Sequence, residues 1–195
     1  MNIQIPTVFN MGWVEVICGS MFSGKTEELI RRVRRAQIAK QKVQIFKPFL
    51  DDRYSKEHVT SHSELKVDAQ NIHDPEEILT LLEDNTRIVA VDEAQFLTPA
   101  IVDICHRLAN RGLRVIVAGL DLDYLGNPFG PMPLLMATAE FVTKMSAICT
   151  NCGNPASRTQ RKPATPQASR EGEQVLVGAG DIYEARCRRC YEPPT

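Results

Sequence analysis

One string of eight residues constrains this chain more than anything else in it: Gly19-Ser20-Met21-Phe22-Ser23-Gly24-Lys25-Thr26. It follows a strand-like run, Trp13-Val14-Glu15-Val16-Ile17, and leads into a helix-like stretch over 26–40 in which Leu29, Val33 and Ala36 share a face. The glycines let backbone N–H groups turn inward around an anion, and the helix that follows adds its positive end. The spacing G-x-x-x-x-G-K-[ST] is complete, which is the P-loop pattern: Lys25 supplies a point charge to phosphates and Thr26 a hydroxyl for Mg²⁺. A chance turn is the alternative, but the motif sits where the mechanism needs it, between strand and helix.

The rest of the pattern agrees. Val43-Gln44-Ile45-Phe46 predicts a second strand, closed by Pro48. Asp74-Pro75-Glu76-Glu77 predicts a helix start, with a capping Asp, Pro in the first turn and Glu three positions after the cap. Ile88-Val89-Ala90-Val91 and Val115-Ile116-Val117-Ala118 are short continuous apolar runs, as buried parallel strands require. Between them Thr98-Pro99 opens a helix and Gly112 follows its end. Repeated β-α units of this length predict an α/β fold, a P-loop NTPase-type parallel sheet with helices on both faces. The character changes after residue 148: over 151–180 Pro, Gly, Ser, Thr and charged residues dominate, with little apolar periodicity. The expected division is a P-loop ATP-binding α/β domain over 1–148 and a small zinc-binding lobe with a long tethered loop over 149–195.

Two further constellations carry chemistry. The run over 88–91 ends in Asp92-Glu93, and a buried strand ending in Asp is how a P-loop enzyme holds Mg²⁺. Glu93 then falls at the sheet's C-terminal edge, where a carboxylate can take a proton from an attacking hydroxyl or water; the alternative is that the pair merely caps the next segment. Cys149-Thr150-Asn151-Cys152 and Cys187-Arg188-Arg189-Cys190 complete the Cys₄ shell of a structural zinc, leaving no open position for catalysis. Residues 153–186 separate the pairs, more than a usual zinc ribbon has, and that keeps two disulfides as the alternative.

Composition decides between compartments and partners. Of six cysteines, four lie in those pairs, and Cys18 and Cys105 sit in apolar stretches as small core residues; this fits a reducing cytosol. The formal net charge of −1 lacks the broad positive field of a duplex-binding module. Arg31-Arg32 and Arg34-Arg35, interrupted by Val33, are expected to form a solvated helix face. His58, His62, His73 and His106 show no metal spacing. No apolar run is long enough to span a membrane, and residues 1–10 do not have the pattern of a secretion signal.

With these pieces placed, the chain resembles the zinc-containing thymidine kinase family over nearly its whole length. The carrying strings are the P-loop with Met21-Phe22 inside it, Asp92-Glu93-Ala94-Gln95-Phe96, Gly119-Leu120-Asp121, Asn127-Pro128-Phe129-Gly130, and the cysteine pairs bracketing Asp181-Ile182-Tyr183. The resemblance implies that thymidine and ATP give thymidine 5′-phosphate and ADP, with Mg²⁺ and a structural Zn²⁺. It implies Glu93 as general base, with Lys25 and Arg53 on the phosphate side, and Asp92, Glu93, Ala94 and Gln95 alongside the P-loop in the ATP site. Tyr124 and Tyr183 match aromatic residues at the nucleoside; Met21, Phe96, Leu120 and Thr159 match positions around the thymine ring. The tethered loop corresponds to a lasso whose backbone hydrogen-bonds the base, here Gln174, Val175, Leu176, Val177 and Gly178. The family also implies a cytoplasmic homotetramer inhibited by thymidine triphosphate, with no nucleic-acid or membrane partner. The chain departs from many relatives in having Tyr124 where they carry Phe, in its variable lasso with Pro163 and Pro166, and in stopping at Thr195. Two other functions compete: a P-loop ATPase that grips nucleic acid or protein through a zinc ribbon, and a kinase for another small acceptor such as a nucleotide.

Overall fold

A computed structural model describes residues 11–49, 69–162 and 182–193. Six parallel strands form one sheet in the order β3-β2-β4-β5-β1-β6. They are β1 (Trp13–Gly19), β2 (Lys42–Pro48), β3 (Gln70–Ile72), β4 (Thr86–Val91), β5 (Arg114–Leu120) and β6 (Phe141–Met145). The apolar runs read from sequence are its centre: β4 and β5 bury every residue from Ile88 to Val91 and from Val115 to Leu120. Such strands are buried because helices cover both faces. α1 (Lys25–Ile38) lays Leu29, Val33 and Ala36 on one face, against Ile17, Ile45, Ala90 and Ile116. On the other, α2 (Glu77–Leu81), α3 (Ala100–Asn110) and α4 (Met132–Thr138) contribute Ile78, Ile101, Ile104, Leu108, Met132 and Leu135.

Several boundaries moved. Pro48 lies inside β2, at its junction with the short parallel strand β3, rather than beyond it. Asp74 and Glu77 exchange hydrogen bonds with the chain as a capping box does, Asp74 Oδ1 accepting from Glu76 N–H at 2.9 Å and Glu77 Oε1 from Asp74 N–H at 3.0 Å. That turn precedes the helix, so α2 begins only at Glu77 and is five residues long. Arg32 is not part of a solvated face. It bridges Glu15 at 2.7 Å and Glu28 at 2.8 Å and donates to Thr143, while Arg31 pairs with Glu28 at the surface. Glu15 is a buried carboxylate on β1. Against the burial that opposes its charge, Arg114, Trp13 and Arg32 hold it below the ordinary carboxylate range.

Beyond the main sheet the chain builds two small antiparallel pairs. β7 (Ala147–Ile148) pairs with β8 (Pro155–Ala156), and β9 (Arg158–Arg161) with β10 (Tyr183–Arg186). Their common core is slight: Ala147, Cys149, Ala156, Ala185 and Cys187. Cys18 and Cys105 are buried as expected, and burial pushes their thiols up to about 11 and about 12. Among the described residues no helix is long and apolar enough to cross a membrane.

Candidate active site

β1 delivers the P-loop to the sheet's C-terminal edge, and α1 leaves from it. Gly24, just before α1, takes φ 82°, a left-handed conformation that glycine adopts without strain. Lys25 Nζ donates to the Ser20 carbonyl at 2.8 Å, folding the lysine back over the loop. Burial lowers its pKa, opposed by the nearby carboxylates of Glu93, Asp92 and Asp121. A cation desolvated among acids is poised for an anion that arrives with its own metal.

β4 brings the acidic pair to the same edge, although β5 lies between it and β1 in the sheet. The Thr26 hydroxyl donates to Asp92 Oδ2 at 3.2 Å, and Asp92 Oδ1 accepts the Glu93 N–H at 3.0 Å. Burial, then the neighbouring Glu93 carboxylate, push the Asp92 pKa up to about 6. Glu93 itself has φ 54°, left-handed for a residue with a Cβ, and such strain of order 1 kcal/mol persists where the surroundings enforce it. A short 3₁₀ turn, Ala94–Phe96, follows. Ala94 is buried in the core, and the Gln95 amide is engaged inside the protein, with Glu93 and the Leu120 N–H.

The small sheets close against the P-loop from the other side. Met21 N–H donates to the Thr159 hydroxyl at 3.1 Å, and Ser20 Oγ donates to the Ala156 carbonyl at 3.3 Å. Nearby, the rings of Tyr124 and Tyr183 stand 6.3 Å apart and the Arg161 guanidinium lies 5.7 Å from the Tyr124 ring centre. Tyr183 is fully buried, Tyr124 only partly. Phe96 packs edge-on against buried Phe129, with ring centres 5.6 Å apart, and Leu120 is buried at the end of β5.

The four paired cysteines form one cluster, their sulfurs all within 4.8 Å of one another. All six cysteines are free thiols, so the disulfide alternative does not hold. Two knuckles make the cluster: Gly153 N–H donates to the Cys149 carbonyl at 2.9 Å and Cys190 N–H to the Cys187 carbonyl at 3.1 Å, with Thr150 N–H to Ala185 at 3.0 Å joining them. The thiols work against each other. Despite its burial, Cys149 is drawn down to about 6 by the N–H groups of Cys187, Asn151 and Cys152. Cys190, despite a hydrogen bond from Asn151 that favours its thiolate, is pushed up to about 11 by Cys152 and Cys187. A divalent cation resolves that conflict by taking all four as thiolates, so the donor set fits a closed tetrahedral metal site.

The chain as a whole is similar to known proteins. The family model described as thymidine kinase matches residues 12–191. A thymidine kinase of Bdellovibrio bacteriovorus is 57% identical over 190 residues, covering 97% of this chain and 90% of the relative. One of a Rhodothermus species is 55% identical over 185 residues, covering 95% and 84%. The chain belongs to the thymidine kinase family.

Within that family the structure groups the expected residues unevenly. It brings Lys25, Thr26, Asp92 and Glu93 to one edge, sets Thr159 on Met21 and puts Tyr124 beside Tyr183. Arg53 and the lasso residues Gln174, Val175, Leu176, Val177 and Gly178 lie outside the described residues. One residue escaped sequence reasoning. Tyr191, directly after the last cysteine, donates its hydroxyl to the Tyr124 carbonyl at 2.8 Å. Nothing in its neighbourhood in sequence signals that partner, which the fold supplies from 67 positions away.

Proposed function

We propose that this chain is an ATP-dependent thymidine kinase that transfers the γ-phosphate of ATP to the 5′-hydroxyl of thymidine, and more weakly of deoxyuridine. The observation that carries the reading is the edge where Thr26, Asp92 and Glu93 meet above Lys25, in a chain 57% identical to a thymidine kinase. The P-loop N–H groups and Lys25 hold the phosphates and offset the charge that develops on them. The Thr26 hydroxyl and the Asp92 carboxylate, 3.2 Å apart, are hard oxygen donors suited to Mg²⁺. When bound, that ion supplies charge neutralisation at the phosphates. Glu93 orients the 5′-hydroxyl and takes its proton. Tyr124, Tyr183, Met21, Phe96, Leu120 and Thr159 form the nucleoside side, completed by the segment over 174–178.

The four-cysteine cluster is assigned to zinc, since soft thiolates in a closed tetrahedral set select it. A division near residue 148, homotetramer assembly, a cytoplasmic setting, Arg53 on the phosphate side and inhibition by thymidine triphosphate belong to the same proposal. The test is transfer of labelled γ-phosphate from ATP onto a panel of free nucleosides. Thymidine is expected to be labelled without any polynucleotide, and Glu93→Gln to lower kcat by about 10²–10⁴ while both substrates still bind. ATP hydrolysis that rises with polynucleotide and labels no nucleoside contradicts the proposal.

A further inference from the structure

We propose that Gln95 is the positioning residue for the catalytic base, an inference that rests on Glu93 being that base. Gln95 is 2% exposed, and both ends of its amide are fixed. Its Oε1 accepts the Leu120 N–H at 3.0 Å. An N–H only donates, so the oxygen must face Leu120, and this leaves Nε2 toward Glu93. There Nε2 donates to Glu93 Oε2 at 2.5 Å. The main chain of Gln95 is clamped as well. At Gly130, which takes φ 49°, a Cβ would stand 2.3 Å from the Gln95 carbonyl, so the two backbones meet closer than any other residue allows.

Glu93 is thus held at two points. Asp92 Oδ1 accepts its N–H and keeps the left-handed turn; Gln95 holds one carboxylate oxygen. The second oxygen is left to face the acceptor hydroxyl. Because the Gln95 side chain ties this short turn to Leu120 at the end of β5, the base takes its place from the sheet edge as well as from its own turn. Only an amide does this, since one end must accept and the other donate. A carboxylate at 95 keeps the Leu120 bond but repels Glu93 or shares a proton with it; a thioether loses both contacts at similar volume.

The experiment measures single-turnover phosphate transfer, and KM for both substrates, in Gln95→Met and Gln95→Glu. Each change is made in the wild-type chain and again with Glu93→Gln. Both are expected to slow transfer by about tenfold to a hundredfold, the scale set by misplacing a reacting group by about 1 Å, with KM for ATP and thymidine moving less than about threefold. On the Glu93→Gln background the same changes should cost less than about twofold more, because a residue acting through Glu93 has nothing left to position. Gln95→Glu retains the Leu120 bond, so it tests the idea even if Gln95→Met fails to fold. Wild-type turnover in Gln95→Glu, or losses that multiply fully with Glu93→Gln, overturn the inference while leaving Glu93 as base. Near-normal transfer in Glu93→Gln alone removes the base itself, and that failure is distinct.

Discussion

The sheet edge and the four-cysteine lobe hold their functional groups by different physics. Lys25 and Thr26 open α1, and Asp92 and Glu93 follow directly on β4, elements of a sheet and helices whose apolar side chains fill two large clusters on its two faces. That reservoir supports costly features at the edge: a desolvated lysine, a left-handed glutamate and a carboxylate pushed up to about 6. The lobe has two short strand pairs and a core of three alanines and two cysteines, too little to hold a fixed shape by burial alone. Among the described residues its geometry rests on the thiol cluster and on ties to the rest of the chain that include the hydrogen bonds of Ser20, Met21 and Tyr191. Where burial is small, a metal held by the four thiols would take the place of a core.

The largest effect that sharpens this contrast is on the edge. Lys25→Ala is expected to lower phosphate transfer by at least about 10³-fold while leaving the melting temperature close to wild type, since the lysine contributes charge rather than packing. Steady-state kinetics beside thermal melts check this, and a collapse of the fold would mean that the edge is not supported independently of its charges.

A second change asks what the edge rests on. Arg32 joins α1 to buried Glu15 and to Glu28, which Arg31 and Arg32 together hold down at about 2 despite partial burial. Arg32→Met leaves Glu15 short of a partner and should cost about 3 kcal/mol near neutral pH. Both carboxylates are depressed in the folded chain, Glu28 to about 2, so their contribution is present above the unfolded value of 4.5 and is lost as pH falls below it through the folded values. The stability gap between wild type and variant should therefore narrow as pH falls below 4.5 in a series of denaturant melts; a gap independent of pH would contradict the ion-pair account. The smallest effect concerns the strut between the regions. Tyr191→Phe removes one hydrogen bond of about 1 kcal/mol, so KM for thymidine should rise about threefold to tenfold with KM for ATP unchanged. Equal movement in both constants would show that Tyr191 serves the whole fold.

How legible each region was follows from the same difference. Periodicity and the P-loop spacing place β1, α1, β4, α3 and β5, because buried parallel strands and an amphipathic helix have to write their burial into the sequence. β3 and β6 escaped: the first is three residues long, and the second is an edge strand whose Val142 and Lys144 face solvent. Arg32 was misread because adjacent arginines on a helix look alike until the sheet supplies Glu15. In the lobe only the cysteines were legible from the residues themselves; Thr159 and Tyr183 came from the family resemblance. β8 to β10 are two to four residues long and bury small or polar residues such as Ala156, Thr159 and Ala185 beside Tyr183, too short a run to stand out in sequence, and Tyr191 finds Tyr124 only through the fold. The pair Asp92-Glu93 was readable as chemistry, but the amide that fixes Glu93 was not, since a hydrogen bond to Leu120 across 25 positions has no signature in sequence.

The sheet edge is expected to hold phosphates by itself, whereas the nucleoside is expected to need the metal lobe as well. This division is tested most directly by calorimetric titration of thymidine and of Mg·ATP into the protein before and after its metal is removed, with Cys152→Ser as a second route. Fresh reduced protein should carry about one Zn²⁺ per chain, as thiolate sites of this kind bind it with about 10–16 kcal/mol. On its removal thymidine affinity should fall more than about tenfold while Mg·ATP affinity stays within about threefold, since displacement of the lobe takes Tyr183 and Thr159 with it but leaves Lys25 and Asp92 on the sheet. Equal losses for both ligands, or thymidine binding indifferent to the metal, would contradict it.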